Sequence, residues 1–412
     1  MPKKILGVLL AGFLVTFFFF PSLLPAQERE PIRIGMISPL SGTYAQPGVD
    51  MSNGASYYLE KIGYTMAGRK VEFIVEDEEA SPSVALTKAR KLVELNKINV
   101  LVGPLLTNSA YAVGPYQESK RVPTLIFAAA DDLTQRKRGN WSVRTTMSSS
   151  QPMHPFGEYA YKVLGLRKVA VVAADYAFGW EVVGGFQKTF EDAGGKILQK
   201  IWYPINAADF SPYLTQIHKD AEAMFSMFGG KSAIVLNKQF QEYGLKDRML
   251  SIGLAQIADE SILPTMGDEA IGIITGGNYS GVLDTPINKE LVKGYRVKYG
   301  KVPSLFSEMS YDCIHWIHQA VTALKGDVRN PEKFMKALKS VDLKETPRGP
   351  IKMDAYGNAI QNIYVRKVER VGGELQNTVI YTYPEVSQFW KFKPEEFLKQ
   401  PTYSRDYPPL KP

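Results

Sequence analysis

Short aliphatic runs alternate with longer segments of helical periodicity from Ile32 to beyond Thr275. That alternation commits the chain to parallel sheets covered by helices on both faces. Strands are expected at Ile34–Ile37, Val71–Glu76, Val100–Val102, Thr124–Phe127, Val169–Ala173, Ala223–Phe228, Met249–Gly253 and Gly272–Thr275. Between them the spacing predicts helices over Ser83–Asn96, Ser109–Ser119, Met153–Leu164, Trp180–Ala193, Phe210–Asp220 and Ser232–Tyr243. The first unit shows the arrangement most clearly. Strand Ile34–Ile37 is broken by Pro39 and Gly42, and a helix follows with Ala55, Tyr58, Leu59 and Ile62 on one face. Ligands of open α/β sheets bind beyond such strand ends.

Length and charge narrow the class. Residues 1–26 carry Lys3 and Lys4, the apolar run Ile5–Phe20, then Pro21, Pro25 and Ala26, the pattern of a cleavable secretory signal. About 386 of the 412 residues then remain, more than one core usually holds, so two domains are expected. The single cysteine, Cys313, excludes an internal disulfide. The net charge of +7 is spread with acids and bases interspersed, which argues against nucleic-acid binding.

The β/α alternation pauses at Asn140–Met147, Gly276–Asp284 and Pro347–Asn358. These pauses are expected to be three crossings of a hinge between lobes built from non-contiguous pieces. Lobe one takes 30–143 and 277–346, and lobe two takes 147–273 and 350–380. Residues 381–412, with Pro384, Pro394, Pro401, Pro408 and Pro409, form an extended strap.

The turn Pro39-Leu40-Ser41-Gly42, Gly103-Pro104 with Ser109, Asp175-Tyr176-Ala177-Phe178-Gly179, Tyr311-Asp312 and Gly349-Pro350-Ile351 occur in an order and spacing that resembles one family. It is the type I periplasmic binding proteins, specifically the leucine/isoleucine/valine-binding proteins that serve ABC importers. The resemblance implies two Rossmann-like α/β lobes with parallel sheets joined by a three-strand hinge, closing on a small-molecule ligand. It also implies a periplasmic location and ABC permease and ATPase partners in the inner membrane. No cofactor, metal, nucleic acid or catalytic residue is expected, and the protein is expected to be a monomer.

Site residues follow from the same resemblance, weighed against plainer roles. Ser109 matches a serine that bonds the ligand's carboxylate, although it would also serve as a helix cap. The turn Phe127-Ala128-Ala129 offers backbone donors where the family commonly adds a threonine hydroxyl. Phe178 matches an aromatic that lines the cleft, with Tyr176 beside it and Tyr44 and Tyr279 at lobe edges. Lys231 is either a cation at the rim for an anionic ligand or a solvated side chain. Amino-acid binders of the family place a glutamate after the strand matching Met249–Gly253 to pair with the ligand's ammonium, but here Leu254-Ala255-Gln256 stands there. A buried ammonium without a carboxylate costs several kcal/mol, so a small acid or amide is expected unless Asp259 or Glu260 reaches the cleft. The alternatives are a branched-chain amino-acid binder proper and a ligand-sensing receptor domain of the same fold.

Enzyme signatures are missing. Gly229-Gly230-Lys231-Ser232 fails as a phosphate loop because the pattern's first glycine falls on Phe225. His315 and His318 share a helix face, whereas Cys313 lies about 200° around from His315. There is no Gly-x-Ser-x-Gly elbow, nor a Gly-x-Gly-x-x-Gly after the first strand.

Overall fold

The computed structural model describes residues 1–2, 30–205, 207–227 and 229–411. The expected export segment, apart from its first two residues, and Phe228 lie outside the described residues. From Pro31 onward the chain forms one unit.

The chain opens with β1 (Ile32–Ser38), α1 (Ala45–Lys61), β2 (Thr65–Met66), β3 (Arg69–Asp77), α2 (Pro82–Arg90), β4 (Val100–Val102), α3 (Thr107–Lys120), β5 (Thr124–Leu125) and β6 (Ser142–Val143). The described strands form a sheet in the order β2-β3-β1-β4-β5-β6, parallel apart from β2. Ile32, Ile34, Met36 and Ile37 of β1 are all fully buried, as expected of a strand covered on both faces.

The second sheet starts with α4 (Met153–Lys162), β7 (Lys168–Ala174), α5 (Ala177–Asp192), β8 (Lys196–Tyr203), α6 (Ser211–Leu214), β9 (Ala223–Met227), α7 (Gly230–Glu242), β10 (Leu250–Leu254), α8 (Leu263–Met266) and β11 (Ile274–Gly277). The chain then returns to the first lobe as α9 (Pro286–Tyr299), α10 (Leu305–Ala323) and α11 (Pro331–Ser340), with α10 packed along α1. There Gly54 is required: a Cβ on it would lie 1.9 Å from the Ser307 carbonyl oxygen. The chain re-enters the second sheet as β12 (Asp342–Leu343), β13 (Ile351–Met353), β14 (Ala359–Val371) and β15 (Glu374–Val386), and a short α12 (Pro394–Phe397) follows. Strands β8-β7-β9-β10-β11 run parallel and β14 joins them antiparallel.

Three expectations are corrected. The helix expected over Phe210–Asp220 is one turn, because the Thr215 hydroxyl and the Gln216 amide bond back to the Ser211 and Pro212 carbonyls and the His218 N–H turns to Gln199. Asp342 and Leu343, expected in lobe one, pair with Lys352 and Ile351 in the second sheet. The strap begins after Val386, since Tyr381–Val386 completes a hairpin with β14, turned at Gly372 and Gly373, both at positive φ.

Three segments cross between the sheets, and buried side chains tie them together. The fully buried Arg348 donates to Glu308 Oε2 of α10 (2.8 Å) and to the Thr145 carbonyl of the first crossing (2.7 Å). Gln361 of β14 donates to the Thr146 carbonyl (2.7 Å) and accepts from Asn278 of the second crossing (3.0 Å). Arg144 donates to Asn358 Oδ1 (3.1 Å) and to the Ala130 carbonyl (2.5 Å). Beyond the hairpin, residues 387–411 run over the second lobe and also reach the first, at Thr134 and Arg136. Phe389, Phe397 and Tyr403 bury one face, His154 Nε2 meets the Tyr403 hydroxyl at 3.0 Å, and Arg136 donates to the Gln400 carbonyl at 2.7 Å.

Gly54→Ala is expected to lower stability by about 1–3 kcal/mol by forcing α1 off α10, read as a lower Tm with an unchanged circular-dichroism spectrum. Arg348→Met is expected to cost more, about 3–5 kcal/mol, because Glu308 and Asp312 lose their cation. Burial raises the Glu308 carboxyl and the Arg348 cation opposes that rise, so removing the cation pushes the carboxyl up further and the variant's deficit in denaturant melts is expected to grow with rising pH.

Candidate functional site

The carboxyl ends of both sheets face one cavity between the lobes. Lobe one lines it with Thr43 and Tyr44 from the β1–α1 connection, Pro47 in the first turn of α1, Leu105, Leu106 and Thr107 at the start of α3, Phe127 and Ala129 beyond β5, and Phe306 and Met309 of α10. Lobe two contributes Ala174, Tyr176 and Phe178 around the start of α5, Met227, Gly229, Gly230 and Ser232 around the start of α7, and Gln256 just beyond β10. Thr146 and Met147 of the first crossing form the remaining wall.

Two features define the chemistry. Three helices, α3, α5 and α7, begin at the cavity, and none of their N-caps, Leu106, Tyr176 and Gly229, makes a side-chain cap. Their first backbone N–H groups therefore lack partners within the helix and carry partial positive charge. Second, the described lining contains no Asp, Glu, Lys, Arg or His. Its polar groups are hydroxyls and one amide. Burial raises the Tyr176 hydroxyl well above its ordinary range, and the Tyr44 hydroxyl, which bonds it, is also raised, so both phenols stay neutral. The Thr146 hydroxyl is buried without a hydrogen-bond partner.

Of the residues expected here, Tyr44, Phe127, Ala129, Tyr176, Phe178 and Gln256 lie on the cavity wall, and the other four do not. Helix α3 starts at Thr107, two residues earlier than its spacing suggests. Thr107 therefore lines the cavity, and Ser109 is buried beside the Glu78 carboxyl. Ala128 points to the opposite side from Phe127 and Ala129, as alternation along an extended chain requires, and its N–H bonds the Pro104 carbonyl. Gly230, at φ +59°, starts α7 so that Ser232 turns inward and Lys231 is exposed to solvent. Tyr279 is fully buried on the second crossing and donates to Asn288 Oδ1 at 3.0 Å.

The acids that might have met an ammonium are used elsewhere. Glu260 accepts from Arg366 (3.2 Å), Asn377 (3.0 Å) and the Gly281 N–H (3.1 Å). Asp259 accepts the Leu305 N–H at the start of α10 (3.0 Å) and bonds Ser261. Sequence reasoning missed Thr43, Leu105–Thr107, Thr146, Met147, Met227, Phe306 and Met309. Phe306 and Met309 had a usable signal, three apart at the start of a helix. The hinge residues had none, because their place follows from the crossing of distant segments.

The model of the periplasmic binding protein family matches residues 31–374. The chain belongs to that family, in its type I, leucine/isoleucine/valine-binding branch. A relative from Brucella melitensis, described as Leu/Ile/Val-binding protein homolog 6, is 29% identical over 366 residues, covering 87% of this chain and 93% of its own. A solute-binding protein of an ABC transporter from Rhodopseudomonas palustris BisB5, solved with 3,4-dihydroxybenzoic acid, is 33% identical with a TM-score of 0.83, covering 87% of this chain and 98% of its own. Another R. palustris solute-binding protein, solved with benzoate, is 27% identical with a TM-score of 0.81, covering 87% and 98%. The chain is thus a periplasmic substrate-binding protein of the ABC-importer type, taking a small solute between its lobes.

Proposed function

We propose that this protein captures a small aromatic carboxylate between its lobes and delivers it, chemically unchanged, to an ABC permease and ATPase in the inner membrane. One observation carries the reading. The cavity joins three uncapped helix starts to walls of Tyr44, Phe127, Tyr176 and Phe178, with no charged side chain in its described lining. Backbone N–H groups neutralise an anion without a lysine or arginine. Aromatic walls favour a flat ring. A free α-amine would be buried against Gln256 with no carboxylate, at a cost of several kcal/mol. The two related proteins solved with benzoate and 3,4-dihydroxybenzoic acid support the same class.

The mechanism is closure. Tyr44, Phe127 and Thr107 come from one lobe and Tyr176, Phe178 and Gln256 from the other, so a guest gains both sets of contacts only when the lobes meet. That differential affinity shifts the population toward the closed form, which the membrane partners read. The leader over residues 1–26 exports the chain, and the protein acts as a monomer. The branched-chain amino-acid alternative draws on the Brucella relative's description and on the apolar walls at Leu105, Leu106 and Met309, but it leaves the ammonium unpaired.

Benzoate, 4-hydroxybenzoate or 3,4-dihydroxybenzoate at 1 mM is expected to raise Tm by several degrees, whereas leucine and valine are not. For a ligand present at a hundredfold excess over Kd, the stabilisation is about 2.7 kcal/mol. Saturation by leucine with silence from every acid would overturn the reading. Phe178→Ala is expected to weaken binding of the responsive acid by about 10- to 100-fold through loss of one aromatic wall, measured by isothermal titration calorimetry. Gln256→Glu is expected to weaken it at least as much, because it places a second negative charge in the cavity.

A further inference from the structure

Glu78 is fully buried just beyond β3, with its N–H donated to the Ser38 carbonyl at 3.1 Å. Its Oε1 accepts the Leu105 N–H at 3.1 Å, and the Leu106 N–H also bonds the carboxyl. Both leucines are cavity walls at the start of α3. The other oxygen, Oε2, and the neighbouring Ser109 hydroxyl are each buried without a hydrogen bond of good geometry. No cation faces the group among the described residues. From β3 it meets Asp77, whose own carboxylate is held by the Leu40 and Glu79 N–H groups at 2.8 Å each. From α3 it meets only the Ser109 hydroxyl and backbone N–H groups, and from β1 the Ser38 carbonyl.

We propose that Glu78 tunes the cavity's affinity for anions: it shares the start of α3 with the ligand's carboxylate, and ligand binding is coupled to proton uptake by Glu78 on Oε2. The proposal rests on the carboxylate reading given above. A helix start offers roughly half a positive charge, which cannot neutralise two carboxylates at once. A proton on Oε2, an oxygen otherwise buried without a partner, removes one of the two charges and leaves the helix start to a single anion. Burial against few donors already pushes the Glu78 carboxyl up to about 7, so the group titrates within the neutral range. The guest stays ionised there, since carboxylic acids titrate near about pH 4. Glu78 is a positioning residue: it acts on the ligand through Leu105 and Leu106.

The sign follows from the linkage. A neighbouring anion raises the Glu78 pKa further, so the bound state holds more protons than the free state and affinity falls as pH rises through neutrality. The test is calorimetric titration of the full mature chain with whichever of benzoate, 4-hydroxybenzoate and 3,4-dihydroxybenzoate it responds to. Titrations run from pH 5.5 to 8.5 in buffers of differing ionisation enthalpy. Wild type is expected to take up a measurable fraction of a proton at pH 7 and to bind about tenfold more weakly at pH 8.5 than at 5.5, the ratio a one-unit difference between free and bound protein implies. Glu78→Gln, which keeps an acceptor for Leu105, is expected to bind with no such slope and more tightly than wild type at pH 8.5. Ser109→Ala, which removes a hydroxyl that favours the carboxylate, is expected to move the midpoint upward, and it serves if Glu78→Gln does not fold. Tight binding that is flat with pH and free of proton uptake overturns this proposal alone, as does a slope that survives Glu78→Gln. No binding of any acid at any pH overturns the carboxylate reading and this proposal with it.

Discussion

Everything in this molecule turns on how the two lobes are joined, and the joint is made of buried polar groups. Arg348, between β12 and β13 of the second sheet, grips Glu308 on α10 of the first lobe and holds the carbonyl of Thr145 on the first crossing. Gln361 links Thr146 to Asn278 in the same way. Such groups gain little net stability over apolar packing, but each is costly to leave unsatisfied. The arrangement therefore penalises wrong registers of the crossings, and so fixes which residues each lobe presents to the cavity.

On the proposed function, that precision lets a cavity with no charged side chain in its described lining select its guest. Backbone N–H groups at α3, α5 and α7 are aimed by the helices themselves, and the helices are aimed by the sheets. No side chain has to be ordered on binding to supply them. The apolar share of recognition falls to rings that are already packed, such as Tyr176 and Phe178, whose centroids lie 6.0 Å apart.

Most of the parallel core was legible because its strands are largely apolar runs between helices, and β4 matches its expected bounds; β8, which carries Lys196, Gln199 and Lys200, was not expected. The long hairpin was not, because β14 and β15 carry charged and polar residues along their exposed faces and read as loop. The Gly372-Gly373 turn between them was the clue. On the cavity wall, Tyr44, Tyr176, Phe178 and Gln256 were expected from the family resemblance, at turns that follow strands. Ser109 and Lys231 were misplaced by helix starts that each fall two residues earlier than the apolar spacing indicates. At a helix end each such residue rotates the side chain by about 100°, enough to turn a wall into a surface.

The final segment has a practical meaning. Its last residues are pinned along the far end of α5, where Gln187 donates to the Pro409 carbonyl and Lys411 pairs with Glu191. The cavity meets the opposite end of that helix, at Phe178. Fourteen helical residues separate Ala177 from Glu191, roughly 20 Å. A surface tether, dye or fused reporter attached to the carboxyl terminus would therefore emerge on the flank of the second lobe, away from the cavity.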